Sequence, residues 1–287
     1  VVEIKGRDEP DKFILVHGHV DSWHFGIGDN ATGDAALLEL ARVFFKHRDK
    51  LKRSLRIAWW PGHSTGRYAG STWYADEFAL DLEENCIAQI NVDSPSCRDA
   101  TVFEEVMWTK EAEDLCKKVI REIAGEDACG ARPVRAGDYS FNGIGITSFY
   151  MLLSNIPEKV RRERGLYNVG GCGGNVEWHT EDDTMEIADR ELLLRDIKIY
   201  IASIIRVLNS DIYPFNFMRT VEDFLETVKS YNSAGKGRFN LSPVIYELET
   251  LEEKLNDFYS LINELRDEGK IKIVNEAILR LARILIP

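Results

Sequence analysis

Apolar residues along this chain follow two patterns, and the change comes near residue 213. Before it, short continuous apolar runs alternate with stretches of helical spacing. Phe13-Ile14-Leu15-Val16 marks a buried strand over 13–17. Leu37, Leu38, Ala41 and Phe44 then share one face of a predicted helix over 34–46. A strand over 55–60 is stopped by Pro61-Gly62, and a helix over 70–78 precedes a strand over 86–93. Ala112, Leu115, Val119 and Ile123 predict a helix over 110–124, and the run from Gly145 to Met151 reads as another buried strand. A long helix over 189–208 closes this part. Strands alternating with helices predict an α/β fold, a mainly parallel twisted sheet sandwiched by helices.

After Tyr213-Pro214 the strand pattern stops. Ser242-Pro243 is a helix start, because Ser caps and Pro fits the first turn. Val244, Leu248, Leu251, Leu255, Phe258, Ile262 and Leu265 step by four and three, a seam for packing on other helices. Gly269 is the expected end of that helix, and a further one is expected over 274–285. Two domains follow from this reading, an α/β domain over 1–212 and a small helical domain over 213–287. The helical part suits a bundle packed on the same chain and also a dimerisation surface.

Composition narrows the partners. A 44% apolar content supplies a full core, and a net charge of −12 argues against nucleic acid, which needs clustered cations. The same acidity, with no run long enough to span a bilayer and no signal peptide, predicts no membrane partner. Five cysteines, an odd number without Cys-x-x-Cys spacing, point away from a disulfide framework and towards a reducing, cytoplasmic setting. The chain opens on Val1-Val2-Glu3-Ile4 without an initiator Met and closes on Ile286-Pro287, as expected of a piece of a longer protein.

The candidate chemistry stands at strand exits and in loops. His19 and Asp21 leave the first strand in Gly18-His19-Val20-Asp21, and Asp29 follows in Gly28-Asp29-Asn30-Ala31-Thr32-Gly33. Asp93 follows the run Ile90-Asn91-Val92, and His179 opens His179-Thr180-Glu181-Asp182-Asp183. Open α/β sheets place sites at the carboxyl ends of strands, and imidazole with carboxylate is a zinc-ligand set. Singly, each residue has a plain structural reading: a surface histidine, a helix cap, a turn residue. His17 and His24 receive no ligand role, and Trp59 and Trp60 read as core or cleft wall. A phosphate-binding module would need a glycine loop opening a helix, and Gly170-Gly171-Cys172-Gly173-Gly174 is not clearly followed by one.

Taken in order, these residues resemble the co-catalytic zinc peptidase family that includes aminopeptidases, glutamate carboxypeptidase and the transferrin receptor. The resemblance implies that His19 is the first zinc ligand, oriented by Asp21, and that Asp29 bridges two zinc ions. It implies Asp93 and His179 as the terminal ligands of the two metals. Gly137-Asp138-Tyr139-Ser140-Phe141 is similar to the family's substrate-cleft loop, which places Asp138 and Tyr139 in the cleft with Trp178 beside His179. The helical tail is similar to a dimerisation domain and implies a homodimer. An apical domain carried upstream by larger members has no counterpart here. The implied function is a zinc-dependent exopeptidase or related amide hydrolase, with one or two zinc ions and a peptide or acyl-amide substrate.

One segment departs from the family. Where the family carries a Glu-Glu pair, base then ligand, this chain reads Pro61-Gly62-His63-Ser64-Thr65-Gly66. His63 falls at the base and Ser64 at the ligand. His63 could replace the lost ligand beside Asp29 and His179, or act as the base itself. A third reading is a catalytically inactive, transferrin-receptor-like binding or scaffold protein. Retention of the other four positions favours a metal site, because clustered Asp and His without a cation would repel or shift their pKa values.

Overall fold

The computed structural model describes residues 1–134, 136, 139–263 and 265–286. The strands are Val2–Ile4 (β1), Glu9–His19 (β2), Arg53–Trp60 (β3), Cys86–Asn91 (β4), Phe103–Met107 (β5), Ala128–Ala131 (β6) and Ser148–Phe149 (β7). The helices are Thr32–Lys46 (α1), Ala69–Glu77 (α2), Ala79–Asn85 (α3), Glu113–Ala124 (α4), Tyr139–Asn142 (α5), Glu158–Arg164 (α6), Arg190–Asn209 (α7), Met218–Ala234 (α8), Ser242–Asn263 (α9) and Glu268–Leu285 (α10).

The main sheet has the order β1-β3-β2-β4-β7; β1 is antiparallel and the other pairings are parallel. The chain leaves central β2 to one side for β3 and returns to the other side for β4. That reversal opens a crevice at the carboxyl ends of β2 and β4, where α/β sheets bind ligands. β5 and β6 form a separate two-stranded sheet.

Both faces of β2 are covered, which is why its sequence reads as a continuous apolar run. Ile14 and Val16 join a core with Leu37 and Phe44 of α1, Val119 of α4 and Ile204 of α7. Phe13 and Leu15 face the opposite cluster, with Tyr74 of α2, Leu82 of α3 and Phe141 of α5. Each such side chain, fully withdrawn from water, contributes about 1.5–3 kcal/mol.

The change of pattern at residue 213 is a change of element type and not a break in the core. Phe217, Val221, Leu255, Ile278 and Leu279 belong to the same hydrophobic cluster as Ile14 and Val16. Arg283 of α10 fastens the last helix to the sheet domain, donating to the carbonyls of Glu83 (2.8 Å), Gly145 (2.8 Å) and Cys86 (2.6 Å).

Some elements differ from the sequence pattern. Gly269 does not end α9. It lies in the first turn of α10, which Asp267 caps by accepting from the Lys270 amide at 2.9 Å. The run from Gly145 to Met151 pairs with β4 only at Ser148 and Phe149. Left-handed backbone at Gly145 (φ +75°) and Tyr150 (φ +69°) brackets that short pairing, and Tyr150 turns its amide to Met107 instead (2.7 Å).

Candidate metal centre

Three strand exits converge on one cavity. β2 ends on His19, β4 is followed by Asp93, and β3 is followed by the loop that carries His63 and Ser64. His19, Asp29 and Asp93 are all buried.

The tautomer of His19 follows from its neighbours. Its Nδ1 lies 2.7 Å from the backbone oxygen of Asp21, and a carbonyl can only accept, so Nδ1 carries hydrogen. Nε2 then turns towards Asp29 Oδ1 at 2.8 Å and Asp93 Oδ2 at 3.7 Å. Neither contact is aligned as a hydrogen bond, so this buried nitrogen has no partner of that kind. A buried imidazole nitrogen faced by two carboxylates fits a divalent cation, with oxygen and nitrogen donors of the kind zinc takes. Without a cation a proton fills the place: burial opposes the charge on His19, yet Asp29 and Asp93 outweigh it and push the pKa up to about 11. Metal binding there would release that proton.

Asp29 joins the two histidines. Its Oδ1 faces His19 and its Oδ2 lies 3.0 Å from His179 Nε2. Burial works against its charge, but His179 and His19 hold the carboxyl well below the usual carboxylate range. The neighbouring Asn30 fixes this turn to the sheet. Its amide nitrogen donates to the Val92 carbonyl at 2.9 Å and the His19 carbonyl at 3.3 Å, and its oxygen accepts from the Ser94 amide at 2.9 Å. Gly33 leaves room for that amide, since a Cβ there would stand 2.2 Å from Asn30 Oδ1.

A positioning residue not singled out from the sequence is Asp183. Its two oxygens accept from the Gly28 amide (2.6 Å) and the Asp29 amide (3.0 Å). Sequence spacing offered no sign of this, because Asp183 stands in an acidic run 154 residues from Asp29. Asp183→Ala is expected to weaken zinc binding by about 10–100-fold, the usual cost of losing a group that holds a ligand. Asp183→Asn keeps one acceptor oxygen and should fall between. Competition with a chromophoric chelator reads the affinities, and equal values for all three proteins would remove Asp183 from this role.

Asp21 serves both sides of the site. Its backbone oxygen meets His19, while its carboxylate accepts from the amides of His63 and Ser64, each at 2.9 Å. The ring of His63 lies face to face with that of His19, centroids 3.9 Å apart and planes within 7°. His63 thus joins His19 and Asp93, with donor atoms within 4.8 Å of one another. Burial and the charge of His19 lower its pKa, partly offset by Asp93, Asp29 and Asp21. Ser64 Oγ is buried without a hydrogen-bond partner.

His179 adopts a left-handed backbone (φ +65°), and Trp178 stacks on its ring at 3.7 Å. A cavity of about 450 Å³ opens over Asp29, Asp93, His63 and His179, walled by Trp23, Val134, Met151, Leu152 and Trp178. Tyr139 is exposed and outside this lining, and Asp138 lies outside the described residues. Glu177 is paired with Arg98 at 2.9 Å, and neither it nor Asp182 lines the cavity.

The family model of peptidase family M28 matches residues 1–204. The chain belongs to that family. Among relatives, a probable glutamate carboxypeptidase (VP8) of Zea mays is 25% identical over 241 residues, covering 80% of this chain and 33% of that protein. The aminopeptidase NAALADL1 of Mus musculus is 32% identical over 131 residues, 44% of this chain and 17% of that protein. This M28 chain therefore spans a third or less of those relatives. In structure it is similar to a zinc aminopeptidase from Bacillus subtilis, with a TM-score of 0.57 at 18% identity, covering 72% of this chain and 49% of that one. A glutaminyl cyclase from an Acidobacteriales bacterium gives a TM-score of 0.57 at 15% identity, covering 72% of each chain.

Proposed function

We propose that this M28 chain is a zinc-dependent exopeptidase that hydrolyses a terminal peptide or acyl-amide bond. Asp29 carries the reading, with one carboxylate oxygen turned to His19 and the other to His179 at the carboxyl edge of the sheet. His19, Asp29 and Asp93 would hold one ion. Asp29 and His179 would hold the side of a second, more weakly, because the neutral Ser64 hydroxyl stands where a carboxylate donor is expected. Zinc, when bound, supplies Lewis acidity at the scissile carbonyl and makes water more acidic.

The side chains account for the rest. His63 is half-buried, biased towards its neutral form by partial burial and the charge of His19, and fixed on its loop by Asp21, so it can accept a proton from the attacking water. As the new C–O bond forms and the C–N bond breaks, His63 returns that proton to the leaving amine. The parallel stacking of His63 on His19 supports a proton-transfer role. Lone pairs lie in the ring planes, and two parallel rings cannot both direct them at one ion about 2.0–2.1 Å from each nitrogen. Trp23, Met151 and Trp178 would seat the apolar part of a substrate and exclude bulk water.

Dialysis against a zinc chelator, then metal return, tests the function on a panel of short peptides blocked at either end. Hydrolysis should fall to background and recover with zinc or cobalt. Stoichiometric zinc with no turnover on any substrate would favour the inactive scaffold. Turnover indifferent to chelation would refute the metal reading.

A further inference from the structure

The loop that carries His63 presents a second group to the same cavity. Between Pro61 and Gly70 the chain closes on itself: Tyr68 donates its amide to the His63 carbonyl (3.2 Å), Ala69 to Gly62 (3.0 Å) and Gly70 to Pro61 (3.0 Å). The Asp21 carboxylate anchors the loop at the His63 and Ser64 amides. At its turn, Arg67 (φ +50°) and Tyr68 (φ +69°) occupy the left-handed region in succession. Such strain in residues with side chains persists where the surroundings enforce it, and it clusters at ligand-binding segments.

The strained turn sets Arg67 in the cavity lining, beside His63, Ser64 and Tyr68. Its guanidinium lies 5.4 Å from the centre of the Tyr68 ring, and no ion pair engages it among the described residues. It is the one Lys or Arg among the described residues that line this cavity. Among the described residues the lining carboxylates are Asp29 and Asp93, and both face His19.

An exopeptidase must recognise a chain terminus by its charge. An α-ammonium calls for an uncommitted carboxylate, and an α-carboxylate calls for a cation. Among its described residues this cavity offers the cation and lacks the uncommitted carboxylate. An arginine fork suits a carboxylate particularly well, because two parallel N–H groups match its two oxygens.

Resting on the exopeptidase reading, we propose that Arg67 binds the α-carboxylate of the substrate's C-terminal residue and makes this site a carboxypeptidase. The scissile bond is then the last peptide bond, and the leaving group is a free amino acid.

Zinc-loaded protein should be assayed with a short peptide acid, its C-terminal amide and its N-acetylated form. Wild type should cleave the acid with a kcat/KM about 30-fold above the amide, the scale of a charge-assisted hydrogen bond, and should tolerate N-acetylation. Arg67→Ala should remove that gap by raising KM for the acid alone, and Arg67→Lys should restore part of it. A binding arm separates this proposal from the exopeptidase reading. Quenching of tryptophan fluorescence, with Trp23 and Trp178 in the cavity wall, should show the acid binding tighter than the amide even if no substrate is turned over. Loss of that preference in Arg67→Ala supports the subsite. Equal binding of acid and amide by wild type would overturn it. So would a uniform loss for both in Arg67→Ala, or turnover abolished by N-acetylation.

Discussion

Asp29→Asn is expected to lower zinc affinity by more than about 100-fold and to reduce peptide hydrolysis to background. Groups that only support a ligand cost 10–100-fold when lost, and Asp29 is in direct reach of both histidines. Asparagine keeps the shape of the side chain and leaves the amides of Gly28 and residue 29 on Asp183. What it removes is the negative charge between His19 and His179. A thermal readout checks this apart from activity. Zinc at about 100 times its dissociation constant stabilises a protein that binds it by about 2.7 kcal/mol. Wild type should show that upward shift of the melting temperature, and Asp29→Asn should not. A zinc-dependent shift of equal size in both proteins would mean that Asp29 is not the shared ligand.

How Asp29 came to be legible from the sequence, and Asp183 did not, shows where sequence reasoning ends. The run Phe13-Ile14-Leu15-Val16 marks β2 because both its faces are covered, and β2 locates His19 at a strand exit. Ile90-Asn91-Val92 does the same for Asp93. The ordered set of His19, Asp29, Asp93 and His179 could then be read through its resemblance to a family. Asn30 and Asp183 act through hydrogen bonds to backbone groups of distant segments, which leave no periodic trace. The dual use of Asp21, carbonyl to His19 and carboxylate to the His63 loop, is invisible for the same reason. α8 was not foreseen, because a short apolar set, Val221 and Leu225, gains its meaning only against a core that the sheet domain supplies. The exit of β7 at Tyr150 depends on a left-handed turn at a residue whose type does not announce one.

His63→Ala is expected to cut kcat by about 10²–10⁴, the range for loss of a proton-transfer group. Zinc affinity should fall by less than the roughly 10-fold that loss of even a supporting group costs. The two readouts separate base from ligand, since a ligand would lose metal and turnover together. The pH profile supplies a third. His63 accepts a proton only when neutral, and burial and the charge of His19 hold its pKa below the ordinary 6.5. Activity should therefore rise with pH through a midpoint below 6.5 and then level off. A cation at His19 acts in the same direction as the His19 charge, so metal loading keeps the sign and moves the midpoint further down. His63→Ala should lose this acid limb, and added imidazole should restore part of the rate by entering the vacated space over the His19 ring. A zinc affinity that falls more than about 10-fold, with no rescue by imidazole, would make His63 a ligand and require the proton to be carried by another group. The loop geometry argues against that outcome. Asp21 fixes the backbone of both His63 and Ser64, and the His63 ring is held between His19 at 3.9 Å and the edge of Tyr68 at 4.8 Å. Turning the ring to share an ion with His19 would break both contacts, whereas proton transfer needs no such movement.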